Sequence, residues 1–421
     1  MNIQVINKGS SKKRSQENFS GIKTDVVENV DSQTAFGGSD LGNDREIVQP
    51  LEGGGLKKLS KWTLQEIATE ILQTRAMKTC HRHRRIGAVG IFLVKHEKEG
   101  QKSYTYNGLM RCGSVWNCPI CSLEISQARV VEVSRAIERH KKEGGEVVMV
   151  TYTVPHHMYD NLRELLDKFQ LARRKMKNRK NYKRLMEGSV GTIRALEVTY
   201  GVNGWHVHVH ELVFLRKGVS QMRMVDNSRD MTTIQNKEDY NLLAMWQSAC
   251  VDVGLGMPSA KHGVLVQNGE QADSYVSKWG TAAELVLSGL KKGGESYTPW
   301  EMLAAYHAGD KRMGEVFAEY AKVFKGRRQL VWSDGLKSMY DIEEKTDEEL
   351  IEESENMGEI EAEIDVIAWG FIVKNKIRGQ VLEVAKLGGV DAVRQYLNRL
   401  SDGMGNGVKD YEVPEVWRDA V

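Results

Sequence analysis

From Trp205 to Phe214 the chain reads Trp-His-Val-His-Val-His-Glu-Leu-Val-Phe, an alternation that only an extended strand turns into one chemical face. At period two, His206, His208 and His210 share one side, while Val207, Val209 and Glu211 take the other. Three adjacent imidazoles make poor core, because each needs a buried partner, but they make good metal ligands. The rival is a solvent-facing histidine strand. Upstream, Thr192–Tyr200 also reads as a strand, and Gly201-Val202-Asn203-Gly204 between the two carries an Asn-Gly hairpin signal. A two-residue turn at Asn203-Gly204 places Glu197 opposite His210 and Thr199 opposite His208. Glu197 then shares the histidine face and can supply an oxygen ligand. Two imidazoles and a carboxylate leave positions open, which suits a catalytic Mg²⁺ or Mn²⁺ better than a closed structural ion.

Four of the five cysteines, Cys80, Cys112, Cys118 and Cys121, fall in one stretch. Cys118-Pro119-Ile120-Cys121 is a CxxC turn that can aim two thiolates at one ion, and Cys112 lies just before it. Cys80 returns across a strand pair expected at Ile86–Val94 and Ser103–Tyr106. Four soft ligands without a carboxylate suit a tetrahedral structural Zn²⁺, with His81 and His83 as candidate substitutes for Cys80. Free buried thiols or a redox pair are the alternatives. Cys250, beside Trp246, reads as a core residue.

Asp273-Ser274-Tyr275-Val276-Ser277-Lys278-Trp279-Gly280 reads as a helix with Tyr275, Lys278 and Trp279 on one side. A tyrosine hydroxyl can attack a phosphodiester and hold the phosphate covalently, and Lys278 can stabilise the developing charge. Tyr and Trp at helical spacing are more often core, so this element gains weight only beside the histidine strand.

Charge is distributed unevenly along the chain. Residues 51–335 carry 43 basic and 30 acidic side chains, whereas residues 336–421 carry 10 and 20. A basic centre points to a polyanion partner. The densest cluster is Arg173, Arg174, Lys175, Lys177, Arg179, Lys180, Lys183 and Arg184, on a helix or helix pair spanning Asp160–Arg184, and we expect it to grip phosphates. No run of about 18 apolar residues suggests a membrane helix, and the polar N-terminus lacks an apolar signal core, so a reducing cytoplasm is expected.

The chain reads as four consecutive regions. Residues 1–55 form a polar, glycine-rich disordered arm, and 56–145 hold a helix, the cysteine element and a second helix (122–143). Residues 146–335 form a strand-rich centre opening with Glu146–Val154. It closes with helical patterns at 238–251, 270–290 and 299–324. Residues 336–421 form an acidic helical tail, with helices expected at Asp341–Glu363 and Ile364–Leu400. The expected class is α/β to α+β, a central antiparallel sheet flanked by helices.

The order of these elements resembles the HUH endonucleases, and within them the plasmid rolling-circle replication initiators, or Rep proteins. The elements concerned are Val148–Pro155, then Gly204–Leu215, then Tyr275–Lys278, with the CxxC ahead of the first. The resemblance covers about residues 75–335 and implies metal-dependent nicking and rejoining of one strand at a plasmid origin. Tyr275 would hold the 5′-phosphate, and a free 3′-hydroxyl would prime synthesis. It puts the ligand pair at His208 and His210, with His206 supporting or replacing one. Lys278 follows Tyr275 by three and Gln271 occupies the position four before it, a layout more like the first tyrosine of two-tyrosine phage initiators, with Trp279 where a second would stand. Glu270, Asp273 or Glu284 could then activate a water to end the round. Without a helicase phosphate loop, a host helicase and a host polymerase are the implied partners beside origin DNA. A conjugative relaxase or HUH transposase shares this chemistry. A non-catalytic zinc-dependent DNA-binding regulator is the rival of another class, and a small-molecule metalloenzyme is disfavoured by the basic centre.

Overall fold

Helices and antiparallel sheets share the chain, an α+β arrangement, in a computed structural model that describes residues 3–5, 47–50, 56–98, 100–218, 242–267 and 296–403. The chain divides into two compact units, one of Met1–Asn43, His83–Leu109 and Met357–Val421, the other of Asp44–Arg82 and Met110–Asn356. These units do not follow the four consecutive regions read from the sequence.

The first unit is built on a four-stranded sheet in the order Ile3–Val5, Glu359–Ile364, Ile91–Lys98, Gln101–Asn107. Three expectations are corrected here. The run Asp341–Glu363 is not one helix: only Asp347–Asn356 is helical, and Glu359–Ile364 is a strand paired with Ile91–Lys95. Its Glu-Ile-Glu-Ala-Glu-Ile pattern buries Ala362 and Ile364, the period of two that a half-buried strand requires. The strand expected at Ile86–Val94 starts at Ile91, because Gly87 takes a positive φ of 81° and Ile86 and Val89 stay exposed. Ile3–Val5 and, in the second unit, Ile47–Pro50 are strands within the arm expected to be disordered. The helices Val366–Lys374 and Arg378–Gly403 complete the first unit, the latter kinked at Gly388-Gly389. Trp369 meets the ring of Tyr106 edge-on, and the Tyr106 hydroxyl donates to the Arg378 carbonyl at 2.8 Å.

The second unit carries the histidine strand. Its sheet runs Ser296–Tyr297, Ser189–Gly201, Gly204–Leu215, Glu146–Thr153, Val264–Gln267, and Leu330–Trp332 also pairs with Ser189–Gly201. One half of one sheet face is dry: Val147, Met149, Ile193, Leu212 and Phe214 pack against Val133, Ala136 and Ile137 of the helix Pro119–Lys142. Alternation carries that face along Gly204–Leu215 from Phe214 and Leu212 to His210, His208 and His206, so one strand passes from core to site. On the other face, Trp246 of the helix Leu242–Val251 packs against Tyr152 and Phe169, and its indole N–H donates to the Thr153 carbonyl at 2.8 Å. The basic stretch is a helix pair, Leu162–Asn178 and Lys180–Met186. Leu162, Leu165, Leu166, Phe169, Ala172, Arg173 and Met176 form the buried stripe of its first member. The helical pattern at 299–324 breaks into Pro299–His307 and Lys311–Phe324 at Gly309, whose φ is 114°. The helix expected at 270–290 lies outside the described residues, as does the start of the one expected at 238–251.

Candidate metal centre

The hairpin forms, with a register two residues away from the expected one. Glu197 pairs with His208, Thr199 with His206 and Ala195 with His210, and the turn consists of Val202-Asn203 between Gly201 and Gly204. Gly204, at φ 82°, closes it. An even shift leaves every side chain on its own face, so Glu197 still lies among the histidines. Its Oε2 is 3.1 Å from Nε2 of His208 and 3.1 Å from Nε2 of His210. The ligand atoms of these three residues all lie within 4.8 Å of one another. Neighbouring donors of an octahedral ion with bonds near 2.1 Å stand about 3.0 Å apart, so one oxygen and two nitrogens at this spacing fit a small divalent cation with positions left for substrate.

His206 stands outside that group. Its ring stacks on His156 at 4.9 Å and lies 4.9 Å from the His208 ring. Desolvation, with the charges of His208 and His156, pushes its pKa down to about 4. Desolvation alone would raise the Glu197 carboxyl. The charge of His208 and the hydrogen bonds from His208 and His210 outweigh it and hold Glu197 well below the usual carboxylate range. Burial lowers His210. Sequence reading missed Thr151, whose hydroxyl lies 2.8 Å from Nδ1 of His210 and whose backbone pairs with that residue. Its place in Val148–Pro155, two residues along from Met149 on the same strand face, was the available signal.

Behind the histidines, Glu211 is fully buried and accepts from Arg173 Nη2 at 3.0 Å and Lys177 Nζ at 2.7 Å. Desolvation opposes its charge, but those two cations bring its pKa down to about 2. The phosphate-gripping cluster is therefore corrected. Arg173, 3% exposed, is an internal counter-ion of the sheet. Lys177 shares that carboxylate, Arg179 pairs with Asp252 at 2.9 Å, and Lys175 donates to the Asp252 carbonyl at 3.1 Å. Arg174, Lys180, Lys183 and Arg184 remain on the exposed side.

The four cysteines converge. Cys80 Sγ lies 3.8 Å from Cys118 Sγ and 3.6 Å from Cys121 Sγ, and Cys112 Sγ lies 3.7 Å from Cys121 Sγ. Sulfurs on a tetrahedron with 2.3 Å metal bonds stand about 3.8 Å apart, whereas a disulfide needs about 2.05 Å, so the set fits zinc and not a bridge. The Cys112 N–H donates to Cys80 Sγ at 3.3 Å and the Gln65 amide to Cys118 Sγ at 3.5 Å. Desolvation raises the Cys80 thiol. It also opposes ionisation of Cys118, but donation from Cys112, Cys121 and Cys80 prevails and pulls that thiol well below its usual value. His81 joins Glu124 and Arg111 beside this cluster instead of replacing Cys80. Cys250 is buried on the helix Leu242–Val251, as expected of a core residue. Tyr275, Lys278, Glu270, Asp273 and Glu284 lie outside the described residues.

Residues 109–231 match the family model described as replication protein. A curated protein from Streptomyces lividans named Protein rep is 27% identical over 297 residues, covering 56% of this chain and 65% of that protein. A Staphylococcus aureus Protein rep is 27% identical over 154 residues, 34% of this chain and 64% of that protein. A Streptomyces cyanogenus protein named Neomycin resistance protein is 32% identical over 135 residues, 26% of this chain and 31% of that protein. The chain thus spans just under two thirds of the length of the Rep relatives it matches. No solved structure matches. The matched stretch contains Cys112, Cys118, Cys121, Glu197 and the whole histidine strand, so the likeness to a replication-protein domain and to proteins named Protein rep falls on the candidate site itself.

Proposed function

We propose that this chain initiates plasmid rolling-circle replication by nicking and rejoining one DNA strand at the origin, on a catalytic region of the HUH type within residues 146–335. The observation that carries the reading is the convergence of Glu197 Oε2 with the Nε2 atoms of His208 and His210 on one strand pair, within a replication-protein match. These three residues would hold Mg²⁺ or Mn²⁺, which supplies Lewis-acid polarisation of the scissile phosphate when bound. The Tyr275 hydroxyl attacks phosphorus: the Oη–P bond forms, the P–O3′ bond breaks, and the released oxygen takes up a proton as the priming 3′-hydroxyl. Lys278 stabilises the charge that develops on the phosphoryl oxygens. Thr151 fixes the ring of His210, and Glu197 holds both imidazoles toward one point. Exposed Arg174, Lys180, Lys183 and Arg184 contact phosphates, and Cys80, Cys112, Cys118 and Cys121 hold a structural Zn²⁺. Host helicase and polymerase complete the round in the cytoplasm.

The test is incubation of the full chain with single-stranded origin DNA and Mn²⁺. A covalent protein–DNA adduct should form, disappear in chelator, and be absent from Tyr275→Phe, His208→Ala and His210→Ala, each of which still binds DNA. An adduct recovered from Tyr275→Phe would move the nucleophile elsewhere. DNA binding by wild type with no cleavage under any divalent ion would favour the zinc-dependent regulator.

A further inference from the structure

The strand Glu146–Thr153 leaves the sheet through Pro155-His156-His157-Met158-Tyr159-Asp160, and this corner is built to project side chains into water. Asp160 Oδ2 accepts the His157 N–H at 2.7 Å and the Asp160 N–H donates to the His157 carbonyl at 3.0 Å, a tight turn that leaves Tyr159 94% exposed. The histidine hairpin seats against it. A Cβ on Gly204 would stand 2.7 Å from the His157 oxygen and 2.9 Å from the Met158 Cα, so the close approach requires glycine. Val202 (63% exposed) lies in the turn of that hairpin, Met158 is 47% exposed, and Met257 (66% exposed) follows Gly256, whose Cβ would lie 3.8 Å from Pro155.

The corner is continuous with the candidate metal centre. The His156 ring lies on His206 at 26° and 4.9 Å, and His206 lies 4.9 Å from His208, so a column of rings runs from a metal-facing histidine out to the exposed residues. Next to it, the Thr153 hydroxyl donates to the His262 carbonyl and exposed Lys261 adds a cation, while Thr153 itself pairs with His208. Flat rings, apolar side chains and a flanking cation at the mouth of a polar site suit a partner with apolar faces and phosphates. Unpaired nucleotides have both, whereas duplex bases keep their faces covered.

We infer that the Met158-Tyr159 corner and the His156–His206 stack form a platform on which unpaired DNA bases stack, feeding one strand to the metal centre. This rests on the strand-nicking reading above and names how the strand is held. Binding of a fluorescein-labelled oligodeoxythymidylate and of a duplex of equal length to the full chain, followed by anisotropy, tests it. Tyr159→Ala should weaken single-strand binding roughly 5- to 150-fold, the span of one lost base stack, with duplex binding and thermal melting unchanged. Tyr159→Phe, which keeps the ring, should bind as wild type does. A 2-aminopurine in the oligonucleotide should be quenched on binding to wild type and to Tyr159→Phe, and not to Tyr159→Ala. If Tyr159→Ala binds the single strand as tightly as wild type, or weakens duplex binding equally, the platform is overturned while the nicking reading stands. A wild-type chain that binds no DNA overturns both.

Discussion

The Thr151 hydroxyl sits 2.8 Å from Nδ1 of His210, on the strand that pairs directly with it. With Nδ1 engaged, the Nε2 of His210 is left to face Glu197 and any ion the pair holds. Such outer partners set ring orientation and ligand basicity. Thr151→Val keeps shape and removes the oxygen. We expect Mn²⁺ affinity, measured by isothermal titration, to fall about 10- to 100-fold with thermal stability nearly unchanged. Wild-type affinity in this variant would show that strand geometry alone orients His210.

Glu211 and Arg173 make a second testable pair, behind the same strand. Both are buried, so removing Glu211 leaves the Arg173 guanidinium uncompensated inside the sheet, and removing Arg173 leaves the carboxylate to Lys177 alone. Glu211→Gln or Arg173→Met should cost about 3–5 kcal/mol in urea unfolding, and Arg173→Met with Glu211→Leu should recover much of it. A double variant no more stable than the singles would mean that Lys177, the carboxylate's other partner, dominates the loss.

Arg174, Lys180 and Lys183 should behave differently from Arg173, because their side chains stand in solvent. Changing each to Gln should leave unfolding unaffected. Each variant should lower the slope of log affinity against log salt by about 0.7–0.9 for every phosphate that the altered side chain no longer neutralises. Slopes identical to wild type in all three would remove this helix pair from the DNA interface.

Cys118→Ser should lower bound zinc and thermal stability together, since ligation free energy is folding free energy at such sites. Elemental analysis of purified wild type should give one zinc per chain. Stability that survives complete zinc removal would reduce the sulfur cluster, spaced at 3.6–3.8 Å, to packed thiols.

Which side of the strand His208, His210 and Glu197 occupy was legible from the sequence, because side-chain alternation is a local property of extended backbone. The register was not. A hairpin read at Asn203-Gly204 turned out to pivot on Val202-Asn203, and only the parity of the shift kept Glu197 on the histidine face. The gathering of Cys118 and Cys121 was likewise local, written in a four-residue turn. Arg173 shows the limit of reading charge by density. Its spacing from Phe169 and Met176 put it on a buried stripe, and only the opposing strand supplies the carboxylate that makes burial tolerable. Glu359–Ile364 shows the same limit for secondary structure. Its glutamates look like a helix face until Ile91–Lys95 offers a ladder. Sequence settled the faces and the residue types they carry, which depend on a residue and its near neighbours. Tertiary structure decided register, burial and the approach of Thr151 to His210, which depend on what the fold brings opposite.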